Sequence, residues 1–209
     1  MDMKNIVIVG NGGFAKEVEF LISRINKDEP TWDFLGYIDN NTTGSHIVGD
    51  DQYLLNVKEE LNVVIAIGNS HVRSRLYSLY RENEYLKFPN VIDPSVIISS
   101  KVEMGQGNII CAGTIITVDV TIGHFNIINL DCTIGHDVII ESYVTINPSV
   151  NVSGNVHVKE ETNIGTGSQI IQGKTVGARV VLGAGAVVNS DIEDDCVAVG
   201  VPAKIIKRK

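Results

Sequence analysis

The sequence predicts a small α/β domain followed by a parallel β-solenoid, and three observations carry that prediction. An aliphatic side chain recurs every six residues through the second half of the chain. Residues 1–88 lack that period and read instead as strands alternating with amphipathic helices. Twenty glycines and only 6% aromatic residues suit tight, repeated turns around a thin aliphatic core. A chain of 209 residues has the length for two such domains, each burying its own core.

KNIVIVG reads as a buried strand from Lys4 to Gly10, and AKEVEFLISRI after it as an amphipathic helix. FLGYID, Phe34 to Asp39, and VVIAIG, Val63 to Gly68, are two further strands, and HVRSRLYSLYREN is a second helix. Strands and helices in alternation build a small parallel sheet. Between the first strand and helix lies Gly10-Asn11-Gly12-Gly13-Phe14-Ala15, which fits the glycine fingerprint of a Rossmann-like unit. There, backbone N–H groups at a helix start face a phosphate. Asp39 closes the second strand, where an acidic side chain can meet a ribose or a base. The competing reading is a plain tight turn between strand and helix. A full dinucleotide fold needs two mononucleotide halves, and the length ahead of the solenoid supplies one. A single nucleoside diphosphate, its pyrophosphate over Gly12 and Gly13, is therefore expected ahead of NAD.

Residues 89–209 hold the repeat. Stepping by six from Ile92 meets Ile98, Met104, Ile110, Ile116, Ile122, Ile128, Ile134, Ile140, Ile146, Val152, Val158, Ile164, Ile170, Val176, Leu182 and Val188. At the overall hydrophobic content of 44%, an unbroken run of this length arises by chance roughly once in a million. Two residues before the aliphatic site the side chain is often small or β-branched, as at Thr114, Cys132, Val150, Ser168 and Ala186. Glycine often follows it, at Gly105, Gly123, Gly135, Gly165, Gly177 and Gly183. Neither a helix nor an ordinary sheet has period six; a three-sided prism does, with one short strand and one turn per hexapeptide. The glycines are expected to supply the positive φ that the turns demand. Inert solenoids share this pattern, and a catalytic group set into the repeat would separate an enzyme from them.

The net charge of −8 argues against a nucleic-acid partner. The one basic run, KIIKRK at Lys204–Lys209, reads as a solvated tail. No segment approaches the ~20 apolar residues of a membrane span, and MDMKNIVIVG is too short in apolar residues for a secretory signal. Cys111, Cys132 and Cys196 are odd in number and widely spaced, which suits neither a disulfide framework nor a zinc site. A cytoplasmic protein without membrane insertion or bound metal is expected.

Five histidines are candidates for chemistry: His46, His71, His124, His136 and His157. His124 and His136 share the string Ile-Gly-His, twelve residues apart and hence on different faces of the prism. Asp137 follows His136, whereas Phe125 follows His124. A carboxylate beside an imidazole fixes its tautomer and raises its basicity, so His136 is favoured as a general base. His157 is expected to point to solvent. One coil beyond His136 lies Gly154, whose backbone N–H could stabilise an oxyanion during acyl transfer.

The repeat resembles that of the hexapeptide-repeat acyltransferases, which implies a left-handed coil and a homotrimer. GNGGFAKEV, YIDNN, NLDCTIGHD, SGN and GVPAK together look like the sialic acid O-acetyltransferase / nucleotide-4-amino-sugar N-acetyltransferase (NeuD/PglD-like) family, across nearly the whole chain. The fold so implied is a Rossmann-like N-terminal domain followed by a left-handed parallel β-helix. The resemblance makes His136 the catalytic base with Asp137 assisting, sets Asn129 near the acceptor sugar, and turns the Gly154 amide to the acetyl carbonyl. It implies acetyl-CoA as co-substrate in a groove lined by Gly165, Thr166, Ala184 and Gly200–Lys204, with active sites at subunit interfaces. It places a nucleotide sugar at Gly10, Gly12, Gly13, Phe14 and Asp39. Two residues depart from the family: Phe14 stands where members often carry histidine, and Thr145 where many carry a second one. The leading acceptor is the 4-amino group of a UDP- or GDP-linked dideoxy sugar. O-acetylation of a sialic acid or another sugar hydroxyl is the alternative, and a sugar-nucleotide-binding scaffold without turnover is the non-enzymatic one.

Overall fold

The structure, a computed structural model, describes residues 3–41 and 46–209. It divides into two compact units, Met1–Pro94 and Ser95–Lys209. The division falls after Pro94 rather than after residue 88. Arg24 holds Asp93 through two hydrogen bonds of 2.6 and 3.0 Å, and so ties this stretch to the first unit.

The first unit runs β1 (Lys4–Val9), α1 (Gly13–Asp28), β2 (Trp32–Ile38), β3 (Ile47–Gly49), α2 (Asp51–Asn56), β4 (Leu61–Ile65), α3 (Ser70–Tyr80) and β5 (Leu86–Lys87). The strands form one parallel sheet in the order β3-β2-β1-β4-β5. β1 and β4 occupy its centre, which explains their unbroken apolar runs: a parallel strand covered on both faces has no solvent side. Val18, Leu21 and Ile22 of α1 are buried at helical spacing, so one stripe of that helix faces the core.

The second unit is a left-handed parallel β-helix. Every strand from Ile97–Ile98 to Val187–Val188 is two residues long and ends on the repeating aliphatic site. Through Gln169–Ile170 each pairs with the strand eighteen residues on, as Ile115–Ile116 does with Thr133–Ile134. The aliphatic residues fill the prism: Ile116, Ile122, Ile128, Ile134, Ile140 and Ile146 are all buried. Turns stack on turns along three edges. One edge carries Val118, His136 and Gly154, linked by Asp137 N–H to Val118 O and Asn155 N–H to His136 O.

The turn glycines do something other than expected. Positive φ recurs every six residues from Gly107 to Gly185, but two residues later than expected and mostly on other residue types, among them Asp119, Asp131, Asp137 and Asn155. Asp and Asn tolerate this region because their short polar side chains bond locally. The glycines after the aliphatic site are demanded instead by close stacking: a Cβ on Gly165 would lie 2.5 Å from Ala184 N.

Two asparagines interrupt the small-residue register inside the prism. The Asn108 side chain accepts from Asn126 N–H at 2.8 Å, and that of Asn126 accepts from Val144 N–H at 2.7 Å. The ladder satisfies backbone donors where a methyl group could not. The terminal basic run is a strand rather than a tail, for Lys204–Arg208 pairs antiparallel with Cys196–Val199. Among the described residues no helix is long and apolar enough to cross a membrane.

Candidate active site

His136 sits in the turn after Thr133–Ile134, on the edge between the six-stranded and the five-stranded sheet of the solenoid. Its Nδ1 lies 2.7 Å from Asp137 Oδ2. Both side chains are more than half exposed, so the pair is open to a ligand. The left-handed backbone of Asp137 (φ 57°) belongs to the turn repeat, and the carboxylate it carries reaches the adjacent ring. When Nδ1 holds the proton and donates to Asp137, Nε2 keeps its lone pair.

Gly154 lies against the far side of this ring. A Cβ built there would meet His136 Nε2 at 2.4 Å and Cε1 at 2.6 Å, so the imidazole occupies the space a side chain would take. The Gly154 N–H donates to no acceptor among the described residues. Gly135, which sequence reasoning treated as a turn residue, completes the arrangement. A Cβ there would stand 2.7 Å from Gly154 N. Its adjacency to His136, with Gly154 one coil on, was the available signal.

The other histidines are occupied differently. His124 Nδ1 accepts the Gln106 N–H at 3.1 Å, which spends one ring nitrogen on the preceding coil. His157 does not simply point to solvent: its Nε2 lies 2.7 Å from Glu141 Oε1, and the two are only 37% exposed. Glu141 also accepts the Glu160 N–H, so this pair braces one coil against the next. The three cysteines are buried. Burial pushes the Cys132 thiol up to about 11, the opposite of an activated nucleophile.

The remaining candidates on the solenoid do not join His136. Asn129, Gly165, Thr166 and Ala184 run along a second edge, on the opposite side of the six-stranded sheet. Asn129 spends its side-chain oxygen on the Leu130 N–H at 2.8 Å. Thr166 and Ala184 are exposed, and Gly185 N–H donates to Thr166 O. Lys204 is exposed at the start of the terminal strand, beyond the Gly200–Ala203 turn that bonds to Val187.

In the first unit the glycine loop opens α1. Gly10 adopts φ +105°, a conformation that favours glycine, and donates its N–H to Ile38 O. Gly12 is the helix cap and offers no side-chain acceptor, and no acidic residue occupies the first turn. The first amides of α1 are thus left for an external anion. Gly12 and Gly13 are exposed, and Phe14 is half-buried. Asp39 follows β2, and its Oδ1 accepts the Asn41 N–H at 2.8 Å. Asn40 is held in turn by Asp51 at 2.8 Å, and Asp51 accepts a hydrogen bond from the buried Tyr80 hydroxyl.

The PglD N-terminal domain family matches residues 5–79. No curated protein matches the chain by sequence. Among solved structures, PerB from Caulobacter crescentus in complex with CoA and GDP-perosamine is 31% identical, with a TM-score of 0.90 over 99% of each chain. The chain belongs to the NeuD/PglD-like family. WeeI from Acinetobacter baumannii is 30% identical over 98% of this chain and 100% of its own, with a TM-score of 0.87. The acetyltransferase domain of PglB from Neisseria gonorrhoeae, in complex with acetyl coenzyme A, is 28% identical over 98% and 100%, with a TM-score of 0.91. This NeuD/PglD-like chain carries Thr145 buried at 3% exposure, so the position at which many members hold a second histidine presents no side chain to solvent here.

Proposed function

We propose that this chain is an acetyl-CoA-dependent N-acetyltransferase acting on the 4-amino group of a nucleotide-linked dideoxy sugar, the nucleotide being UDP or GDP. The observation that carries the reading is the His136 imidazole, paired through Nδ1 with Asp137 and resting against Gly154, whose amide is open. The co-substrate supplies an activated acyl group as a thioester. His136 Nε2 takes the proton that the acceptor amine loses as its nitrogen attacks. Asp137 holds the ring in the tautomer with Nε2 unprotonated and stabilises the imidazolium once formed. The Gly154 N–H is the donor for the carbonyl oxygen on which negative charge grows. The imidazolium returns its proton to the departing sulfur as the C–S bond breaks, and CoA leaves as the thiol. Neither a metal nor a cysteine nucleophile enters this scheme.

An amine is preferred to a hydroxyl acceptor because a relative 31% identical to this chain is perosamine N-acetyltransferase from Caulobacter crescentus. The split of candidates over two edges supports the homotrimer. The His136 edge of one protomer meets the Gly165–Thr166–Ala184 edge of its neighbour, with Lys204 near the far end of the groove and Asn129 toward the acceptor. The Gly10–Gly13 loop, Phe14 and Asp39 take the nucleotide. The product serves glycan or surface-polysaccharide synthesis in the cytoplasm.

CoA release measured across UDP- and GDP-linked amino sugars and free sialic acids tests the reading. His136→Ala is expected to lower turnover by about 10²–10⁴-fold, whereas His124→Ala stays near wild type. Equal losses in the two variants would sink His136 as the base. Release with sialic acids alone would sink the amine acceptor.

A further inference from the structure

The proposed thioester groove uses only one side of His136. Gly154 lies one coil later along the same edge, and Gly165, Thr166, Ala184 and Lys204 all follow it in the chain. A co-substrate laid along these later coils leaves the earlier side of the base to the acceptor. Val118 stands on that side.

One residue per coil tips each turn of the His136 edge: Ser100, Val118, His136, Gly154, Gln172 and Ser190. Val118 alone among them is aliphatic, and it is 42% exposed. Its carbonyl accepts the Asp137 N–H at 3.2 Å, which stacks its turn on that of the base at about 4.8 Å, the spacing of paired strands. The second edge carries a counterpart. Leu130 tips its turn there and is also 42% exposed. Its N–H donates to Asn129 Oδ1 at 2.8 Å and its carbonyl accepts the Ser149 N–H at 2.9 Å, so the turn is fixed on both sides. Leu130 lies twelve residues after Val118 and six before His136, where eighteen make a coil. With the two edges side by side in the proposed ring, the partner subunit's Leu130 comes level with the gap between Val118 and His136. A single exposed aliphatic side chain needs no explanation. Two at turn tips on facing edges, both on the acceptor side of the base, do.

The carbon that bears a 4-amino group has two ring neighbours. Only C5 carries an exocyclic carbon, either a methyl or a hydroxymethyl group. We propose that Val118 and the partner subunit's Leu130 are specificity-determining residues that receive a methyl on C5 of the acceptor and disfavour a hydroxymethyl. A hydroxyl placed between them gives up water and gains no partner. This rests on the amino-sugar reading above.

The test is CoA release with pairs of UDP- or GDP-linked 4-amino sugars that differ only in methyl or hydroxymethyl at C5. Wild type should favour the methyl sugar by about 10- to 10²-fold in kcat/KM, the range an apolar pocket achieves against an added hydroxyl. Val118→Thr and Leu130→Asn keep the side-chain size and supply a hydrogen-bonding group. Each should cut that preference at least about threefold, with KM for acetyl-CoA near wild type and the mass by light scattering unchanged. Equal use of both sugars by wild type, or an undiminished preference in both variants, overturns the assignment. Variants that change mass and lose both sugars alike also overturn it, and give the two tips to subunit contact instead. Wild-type protein that releases no CoA with either sugar overturns the amino-sugar reading itself.

Discussion

At the scale of single residues the site depends on where side chains are missing. Gly154 has no room for a Cβ, which would lie 2.4 Å from His136 Nε2. Gly154→Ala must push the imidazole aside or shift the turn, and either change separates the base from the amide donor. Turnover by CoA release is expected to fall about 10²-fold or more, on the order of losing an oxyanion donor. The melting temperature should drop only slightly, because His136 is more than half exposed. Full activity in this variant would remove Gly154 from the site. His136 and Asp137 were legible because they are neighbours in sequence, and Gly154 because eighteen residues return the chain to the same edge. The approach of Ile67 to Gly10 was not legible, for it comes from the pairing of β1 with β4, a long-range contact that no local pattern announces.

Elements follow the same rule. The two-residue strands of the solenoid were readable because each coil repeats one chemical pattern. β3, α2 and β5 were not, being too short to show a period. The terminal run is solvated as its charges suggest, but it is a strand rather than a tail because it pairs with Cys196–Val199, a contact its composition does not announce. Arg179 grips Asp195 at 2.6 and 2.7 Å, Arg208 pairs with Glu193, and Lys209 N–H donates to Asp195 O at 2.7 Å. The arginine hydrogen bonds hold the Glu193 and Asp195 carboxyls below the usual carboxylate range. A depressed folded-state pKa stabilises above the unfolded value and loses that contribution as pH falls through the folded one. The terminal strand should therefore stay attached through neutral pH and fray on acidification below about 4. Exposed pairs contribute little each, so fraying should precede loss of the solenoid. Amide exchange at Ile205–Arg208, corrected for the intrinsic pH dependence, checks this. Protection that persists until the core itself unfolds would show that the backbone ladder alone holds the strand.

For the whole molecule the decisive fact is that the candidates lie on two edges of one prism. A flat six-stranded sheet separates His136 and Gly154 from Gly165, Thr166 and Ala184. One chain cannot fold these edges together, because the sheet is continuously hydrogen-bonded from coil to coil. A second copy can join them by laying its edge alongside, and a closed ring then gives every protomer the same contact. Two inactive variants can reveal such sharing. His136→Ala removes the proposed base from one edge; Ala184→Trp, at an exposed position, fills the proposed groove on the other. Each alone should form the proposed trimer with little turnover. Coexpressed in equal amounts, they should assemble at random. A site then works when its first edge comes from an Ala184→Trp chain and its second from a His136→Ala chain. That combination occurs in about a quarter of the sites, so activity should return to about a quarter of wild type. Sites complete within one chain would give no recovery at any mixing ratio, since every chain would carry a defect in its own site.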